Sequence, residues 1–272
     1  MRPPGILPSM TRPASLAVSP FGARLRQWRR RRGISQLRLA AEVGSTPRHI
    51  SFLETGRSRP SREMVARLGA VLGVSLREQN ELLHAAGLPA AYPQARLGDP
   101  DLAPFRAAID RLLEAHRPYP ALVVDGHWNV LAANRACGPL FGGDLVGANM
   151  IRRYFGDRHA AEWMVNWSEV AWAGLGRLRQ QLQRTPFDEE LRALVALAET
   201  AVADLPGPAA PGPELVVCPW FRVGDNVIRT IGMVARFDAA ADVTLDELRI
   251  ELTYPQDAAA ERFFREQDKV HQ

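Results

Sequence analysis

The sequence is short of cysteine, of lysine and of long apolar runs. Its two cysteines, Cys137 and Cys218, are too few for a disulfide framework or a four-thiolate zinc site, and they favour a reducing, cytosolic environment. No apolar run approaches the roughly 18–20 residues of a membrane helix, so we expect no membrane partner. Residues 1–20 are rich in proline and lack the apolar core of a signal peptide, so we expect a disordered extension there.

Sequence motifs of catalysis are also missing. There is no G-x-G-x-x-G pattern, no P-loop and no G-x-S-x-G, and the six histidines show no metal-ligand spacing. Paired acids such as Glu189 and Glu190 lie in polar surroundings and are interpreted as solvated or capping groups. We therefore predict that the protein is not an enzyme and uses no cofactor and no metal.

Charge is distributed unevenly along the chain. Residues 1–90 hold 15 Arg and 5 Glu, a net charge of +10, whereas residues 91–272 carry a net −6. A basic module is attracted to phosphates, which favours a nucleic-acid partner. The alternative is a solvated surface in an arginine-rich protein, since Lys269 is the only lysine.

The pattern of apolar residues and helix breakers divides the chain into four segments. They are the extension 1–20, a run of five short helices over 21–90, a Pro- and Gly-containing linker over 91–103, and a mixed segment over 104–272. Within the last segment we predict helices over 104–116, 144–155, 159–183, 187–203 and 257–268, and strand-like runs over 214–223 and 226–237. Two β-rich runs around Asp125-Gly126 predict a hairpin, and residues 248–254 alternate strictly between apolar and polar. The predicted fold is an all-α N-terminal domain followed by an α+β domain with an antiparallel sheet.

Capping residues place the helices of the first domain. Ser35 and Thr46 are suited to begin two successive helices, Gly44 to make the turn between them, and Gly56 to end the second. Pro47 follows Thr46 at the first helical position, where its missing N–H has no cost. A short helix, a glycine turn and a second short helix is the helix-turn-helix geometry, in which the second helix enters the DNA major groove.

The pattern closely resembles the phage-repressor (Xre/Cro) helix-turn-helix family. The positions that carry the resemblance are Ile34, Ser35, Gln36, Leu39, Ala40, Gly44 and the run 50–56. The resemblance implies binding to double-stranded operator DNA. It also implies a partly buried ion pair between Glu54 and Arg29, which we interpret as structural.

The family resemblance assigns DNA contacts residue by residue. Gln36 corresponds to the family's glutamine that contacts the phosphate backbone, and Thr46 could also donate to a phosphate. Arg48 lies in the first turn of the recognition helix, where its guanidinium could bind guanine O6 and N7, and Phe52 could touch a thymine methyl one turn later. The further candidates are His49 and Ser51 on the same helix, and Arg57 and Arg59 in the basic loop as phosphate contacts. Pro47 departs from relatives that have a polar base-reading residue there.

The second domain resembles the MmyB-like transcription regulators, which carry a PAS-like ligand-binding domain after the Xre module. The resemblance is carried by the variant recognition-helix run 46–61, and by the runs 83–88, 120–125, 128–134 and 248–255 together with Tyr92. It implies a cytosolic bacterial regulator that is often a homodimer. It also implies a PAS-like pocket that binds a fatty acid in at least some members.

Bulky apolar residues of the second domain supply candidates for such a pocket. Most of them belong to a core, although a sheet covered by helices can leave an apolar cavity between the layers. The candidate ligand-binding residues are Met150, Arg153, Phe155, Trp163, Trp167 and Trp220. Arg152, Arg153 or Arg229 could hold a ligand carboxylate, or could equally lie on the surface or in a structural ion pair. We interpret Asn134 as a cap or turn residue and Cys218 as a buried apolar residue, with redox sensing through Cys137 and Cys218 left open.

Together these observations predict a sequence-specific DNA-binding transcriptional regulator. An apolar, fatty-acid-like molecule in the C-terminal domain would control it. The alternative is a protein-interaction or dimerisation module whose helix-turn-helix is vestigial.

Overall fold

The computed structural model describes residues 19–156, 159–207 and 217–270. Most of the predicted extension 1–20 and the first part of the strand-like run 214–223 lie outside these residues. Within the described chain, contacts group the residues into two compact units. The first ends at Ala91 and excludes Ser75–Arg77, and the second comprises Ser75–Arg77 and the chain from Tyr92 onward.

The first unit contains five helices, as predicted. They are α1 (Pro20–Arg31), α2 (Gln36–Glu42), α3 (Pro47–Thr55), α4 (Arg62–Leu72) and α5 (Leu76–Ala85). The side chains of Ser35, Thr46 and Ser61 each accept a hydrogen bond from the backbone N–H three residues later, as N-caps do. Gly56 ends α3 with φ of 76°, in the left-handed region where glycine is favoured.

The core of this unit is densely filled between α1 and α3. Leu25 and Trp28 of α1 and Ile50 and Leu53 of α3 are completely buried. A Cβ atom on Gly22 would lie 2.6 Å from the carbonyl oxygens of Leu53 and Glu54. The two helices therefore touch at a point where only glycine fits.

The second unit is an antiparallel sheet with helices on both faces, which confirms the predicted α+β, PAS-like class. Its strands are β1 (Ala121–Val124), β2 (Val130–Ala133), β3 (Trp220–Val223), β4 (Asn226–Ala235) and β5 (Arg249–Pro255), in the order β2-β1-β5-β4-β3. Its helices are α6 (Ala103–Ala115), α7 (Gly138–Phe141), α8 (Met150–Gly156), α9 (Ala160–Trp163), α10 (Trp167–Arg184), α11 (Glu189–Val202), α12 (Val243–Glu247) and α13 (Ala258–Val270). The predicted hairpin around Asp125-Gly126 is the antiparallel β1–β2 pair.

Two of the predicted helices have wrong boundaries. The helix predicted over 144–155 begins only at Met150, because the residues before it pair with strand β2. The Val130 N–H donates to the Ala148 carbonyl, and the Gly147 N–H donates to the Val130 carbonyl. The helix predicted over 159–183 is broken between α9 and α10. At the break, the Asn166 side chain accepts a hydrogen bond from Trp220 N at 2.8 Å and donates one to Cys218 O at 2.9 Å. These bonds join the break to the β3 end of the sheet.

The alternation over 248–254 gives β5 two different faces. Leu248 and Ile250 pack with Ile109 and Leu113 of α6. The polar residues point to the opposite face, where α10 lies, and Arg249 among them is only 5% exposed. The polar face of this strand is therefore enclosed at Arg249 and partly exposed at Glu251 and Thr253.

Asn134 has a different role from the cap predicted for it. Its side chain makes no hydrogen bond to the helical turn that it precedes. Instead its oxygen accepts from Ala121 N, and its nitrogen donates to the carbonyls of Leu113 and Tyr119. It thus ties the end of α6 to the first residue of β1.

Candidate functional sites

Helix α3 presents one face to solvent and buries the other. Thr46 and Arg48 are exposed, and His49, Ser51 and Phe52 are half-buried on the outer side. The capping bond from His49 N to Thr46 Oγ1 is 3.2 Å long and leaves the hydroxyl proton free to donate. The His49 ring is held by Ser45, whose Oγ lies 3.0 Å from Nδ1, so Nε2 remains available at the surface.

A cation–aromatic stack joins the recognition helix to the loop after it. The guanidinium carbons of Arg48 and Arg57 lie 5.2 Å and 5.8 Å from the centre of the Phe52 ring. Such contacts orient a guanidinium without neutralising it. The stack therefore holds two charged groups in place beside α3.

The buried carboxylate of Glu54 fixes α3 against α1 and α2. Arg29 Nε and Nη2 donate to its two oxygens at 2.5 Å and 3.0 Å, which is the ion pair that the family resemblance implied. Gln36 Nε2 donates to the same carboxylate at 2.8 Å and keeps its second proton for another acceptor. Burial alone would raise the pKa of Glu54, but the hydrogen bonds from Arg29 and Gln36 lower it below its ordinary value.

The arginines of the first unit fall into two groups. One group supports the fold: Arg24 pairs with Glu78 and Glu81, Arg26 and Arg29 with Glu54, and Arg38 with Glu42, and Arg32, Arg62 and Arg67 donate to backbone carbonyls. The other group comprises Arg30, Arg31, Arg48, Arg57 and Arg59, which are exposed and make no described ion pair or hydrogen bond within residues 19–156, 159–207 and 217–270. Three of these five flank α3 and supply an uncompensated positive surface there.

The second unit contains a cavity of about 350 Å³ between the sheet and its helices. This volume is within the range of about 300–1,000 Å³ typical of small-molecule pockets. The lining is mostly apolar and includes Leu122, Trp128, Phe141, Met150, Ile151, Tyr154, Phe155, Trp167, Val170 and Phe221. Its polar members are Arg177 from α10 and Cys218, Thr230, Glu251 and Thr253 from or beside the sheet.

Three of the six predicted ligand residues line this cavity, namely Met150, Phe155 and Trp167. Trp163 lies behind the wall, stacked on Tyr154 at 5.7 Å and on Phe221 at 6.2 Å.

The remaining predicted residues lie outside the lining. Trp220 carries the Arg229 guanidinium over its ring at 4.8 Å, and Arg153 donates a hydrogen bond to the Phe141 carbonyl. None of the three arginines considered from the sequence lines the cavity; the arginine that does is Arg177.

Trp128 organises the polar end of the cavity. Its backbone is in the left-handed region with φ of 67°, and its indole N–H donates to Gln181 Oε1 at 3.0 Å. Two guanidinium groups pack on its ring, that of Arg249 at 4.1 Å and that of Arg177 at 4.8 Å. Arg177 also pairs with Glu251, with Nη2 and Oε1 2.8 Å apart.

Arg249 is a buried cation with neutral partners. Its terminal nitrogens donate to Gln181 Oε1 at 3.0 Å and to the Asp125 carbonyl at 3.2 Å, and its Nε has no hydrogen-bond partner in the described chain. Burial lowers the pKa of Arg249 to about 10, which leaves it charged at neutral pH. In the sequence, Arg249 and Glu251 could have been identified as polar members of the alternating apolar and polar residues over 248–254.

The two cysteines are buried free thiols. Burial raises the pKa of Cys137 to about 12, and its Sγ donates to the Ala121 carbonyl at 3.4 Å. Cys218 accepts a hydrogen bond from Gly232 N at 3.2 Å beside the cavity. A thiol with so high a pKa is a poor nucleophile, so the geometry of Cys137 favours a structural role over redox sensing.

No helix within residues 19–156, 159–207 and 217–270 is both long and apolar enough to span a membrane. In the same part of the chain, no three His, Cys, Asp or Glu side chains are grouped closely enough to hold a metal ion.

Comparison with known proteins gives two family matches. Residues 105–266 match the MmyB-like transcription regulator ligand binding domain, and residues 25–79 match a helix-turn-helix family. Among solved structures, the clp gene regulator ClgR from Corynebacterium glutamicum is similar in sequence at 28% identity, over 37% of this chain and 93% of that chain, with a TM-score of 0.23. No curated protein matches the chain.

Proposed function

Since the chain belongs to the family of MmyB-like transcription regulators, we propose that it reads a two-fold symmetric operator as a homodimer, under the control of an apolar, fatty-acid-like ligand. It is a helix-turn-helix DNA-binding regulator with a ligand-binding domain, which is a role other than catalysis. In this proposal residues 21–90 form the DNA-binding domain and 104–272 the ligand-binding and dimerisation domain. Residues 1–20 are an extension and 91–103 a linker, and the protein works in the reducing cytosol.

The observation that carries the DNA-binding part is the uncompensated positive surface around α3. Arg48 is the residue best placed to read a base, because it projects from the first turn of the helix with a free, pre-oriented guanidinium. Phe52 beside it offers an apolar edge to a thymine methyl, and His49 and Ser51 complete the reading face. The proposed phosphate contacts are Gln36, Thr46, Arg57 and Arg59.

The homodimer is proposed because of the size of this reading face. A single helix of this kind contacts one short half-site, and related dimers bind two half-sites about one turn of DNA apart. The ligand part of the proposal is supported by the apolar lining of the cavity and by Arg177, the one cation among its described lining residues.

Two arginine variants test the DNA-reading assignment. We would select preferred DNA from a random pool with the full chain, then measure binding by fluorescence anisotropy at several salt concentrations. We expect Arg48→Ala to lose about 1–3 kcal/mol on preferred DNA and little on random DNA. We expect Arg59→Ala to weaken both equally and to reduce the log–log salt slope by about 1.

Arg265→Ala is the matched control, because it removes an equal charge from an exposed helix position in the second unit. It should change neither the DNA affinity nor the log–log salt slope. Equal behaviour of the Arg48 and Arg59 variants would contradict the division into base and phosphate contacts. Absence of DNA binding at low salt would reject the DNA-binding role of this chain and favour a vestigial helix-turn-helix.

A further inference from the structure

One ion pair lies at the solvent-facing part of the cavity. Among the described lining residues, Arg177 is the only cation and Glu251 the only anion. Their pair links α10 to β5, and the side chains are 50% and 21% exposed. The charges of these two lining side chains therefore cancel each other.

The pair is built so that its carboxylate can be exchanged. Only Arg177 Nη2 and Glu251 Oε1 form a hydrogen bond, at 2.8 Å, although a guanidinium can bind a carboxylate through two nitrogens. The Arg177 side chain is 50% exposed, so solvent screens the pair and lowers the cost of replacing its carboxylate. The Arg177 guanidinium also lies over the Trp128 ring, 4.8 Å from its centre, and this contact does not depend on Glu251.

We propose that Arg177 anchors the acid group of the ligand, and that the ligand carboxylate takes the place of Glu251 on it. This inference rests on the ligand part of the proposed function and specifies its head-group chemistry. An acid with an apolar tail then fills the cavity with its tail and breaks this contact between α10 and β5, whereas the bond from Arg249 to Gln181 remains. A neutral ligand with the same tail leaves the contact intact.

The exchange supplies what a ligand-controlled regulator requires. A ligand shifts a conformational equilibrium only if it interacts differently with the two states. Here the two states differ in a named contact: Arg177 holds β5 through Glu251 in one and the ligand carboxylate in the other. Glu251 is thus a competitor that sets the threshold for acids and has no effect on alcohols.

The test compares decanoate and decanol, which share an apolar tail and differ in head group. The full chain is stripped of co-purified lipid, and both probes are titrated below their aggregation limits by calorimetry. For decanoate we expect Arg177→Gln to weaken binding about tenfold, the loss typical of a charge-assisted hydrogen bond. Glu251→Gln should strengthen decanoate binding about threefold, in line with an exposed ion pair. Neither variant should change decanol binding by as much as twofold.

Arg179→Gln is the control, since Arg179 is on the same helix, has similar exposure and pairs with Glu199 outside the cavity lining. It should leave both probes unaffected. The gain expected for Glu251→Gln cannot result from misfolding. Equal losses of both probes in Arg177→Gln, or no gain in Glu251→Gln, would overturn the exchange while leaving ligand binding intact. Failure of both probes to bind the unaltered chain would overturn the ligand part of the proposed function as well.

Discussion

The two units pack their helices in opposite ways. In the first, α1 and α3 meet at Gly22 so closely that a methyl group would touch the backbone carbonyls of α3. In the second, α10 passes over the sheet with about 350 Å³ left between them. A filled interior resists changes of shape, whereas a cavity can be completed by another molecule. The difference separates a rigid reading module from a module that gains contacts on binding.

The two units also differ in how their buried charges are compensated. Glu54 receives hydrogen bonds from Arg29 and Gln36, so its charge is fully compensated within the first unit. Within the described chain, Arg249 has an amide and a carbonyl as its only hydrogen-bond partners. The first arrangement is sensitive to change, because removing either partner leaves a buried charge. The second keeps positive potential close to the ligand cavity.

The largest effect is expected from a methyl group added at Gly22. Gly22→Ala should destabilise the first unit by about 2–3 kcal/mol, because the backbone carbonyls at 2.6 Å cannot move without separating α1 from α3. The measurement is native-state hydrogen exchange followed by mass spectrometry, which reports each unit separately. Amides of α1 and α3 should exchange roughly 30- to 140-fold faster, since every 1.4 kcal/mol is about a factor of ten.

Gly176→Ala is the matched substitution in the second unit. Gly176 lies within α10, and a Cβ there would meet no atom within 4 Å. This change should stabilise α10 by about 0.5–1 kcal/mol through helix propensity. If the Gly22 variant were as stable as the unaltered chain, the contrast in packing between the units would be wrong.

A smaller effect is expected from pH on the second unit. His127 Nε2 lies 2.8 Å from Asp188, and Glu190 lies 3.5 Å from its other nitrogen. The hydrogen bond to Asp188 raises the pKa of His127 against the opposing effect of burial. Protonated His127 therefore contributes its full stabilisation of the second unit below its unfolded pKa of about 6.5. This contribution disappears as the pH rises through the higher pKa of His127 in the folded state. Asp188, whose own pKa is lowered through its hydrogen bond to His127 despite burial, stays ionised throughout this window.

We expect His127→Gln to destabilise the second unit by about 1 kcal/mol near pH 6 and progressively less toward pH 9. Hydrogen exchange of the β1–β2 hairpin and of α11, corrected for the intrinsic pH dependence of exchange, measures the difference at each pH. His84→Gln, at an exposed position of α5, is the control and should not alter these amides. A His127 effect that grows with pH would contradict the assigned direction of the shift.

The first unit could be predicted from the sequence because its determinants are local. Ser35, Thr46 and Gly56 cap or end helices within a few residues of themselves, and the apolar spacing of α1 identifies its buried face. The strand alternation and the hairpin in the second unit are local in the same way. These features gave the correct fold class.

The cavity could be predicted only in part, because distant segments form it. In the sequence, Met150 and Arg153 both lie next to apolar residues, so they are equally good candidates. The packing of α8 decides that Met150 lines the cavity and Arg153 does not. Arg177 lies in an amphipathic helix where its spacing indicates a surface residue. Its role depends on Trp128 and Glu251, which are far away in sequence. The break at Asn166 likewise depends on its bonds to residues 218 and 220.

The central claim is that filling the cavity changes DNA binding by the other unit. The direct measurement is the affinity of the lipid-free full chain for its selected DNA, with and without saturating decanoate. Coupling of the usual size predicts a change of about fivefold or more. In Ala173→Phe, where the new ring occupies the cavity, the affinity should not respond to decanoate. Ala193→Phe, at an exposed position of α11 outside the lining, should respond like the unaltered chain. An unchanged DNA affinity when decanoate is bound, or an equal response in Ala173→Phe, would contradict the account.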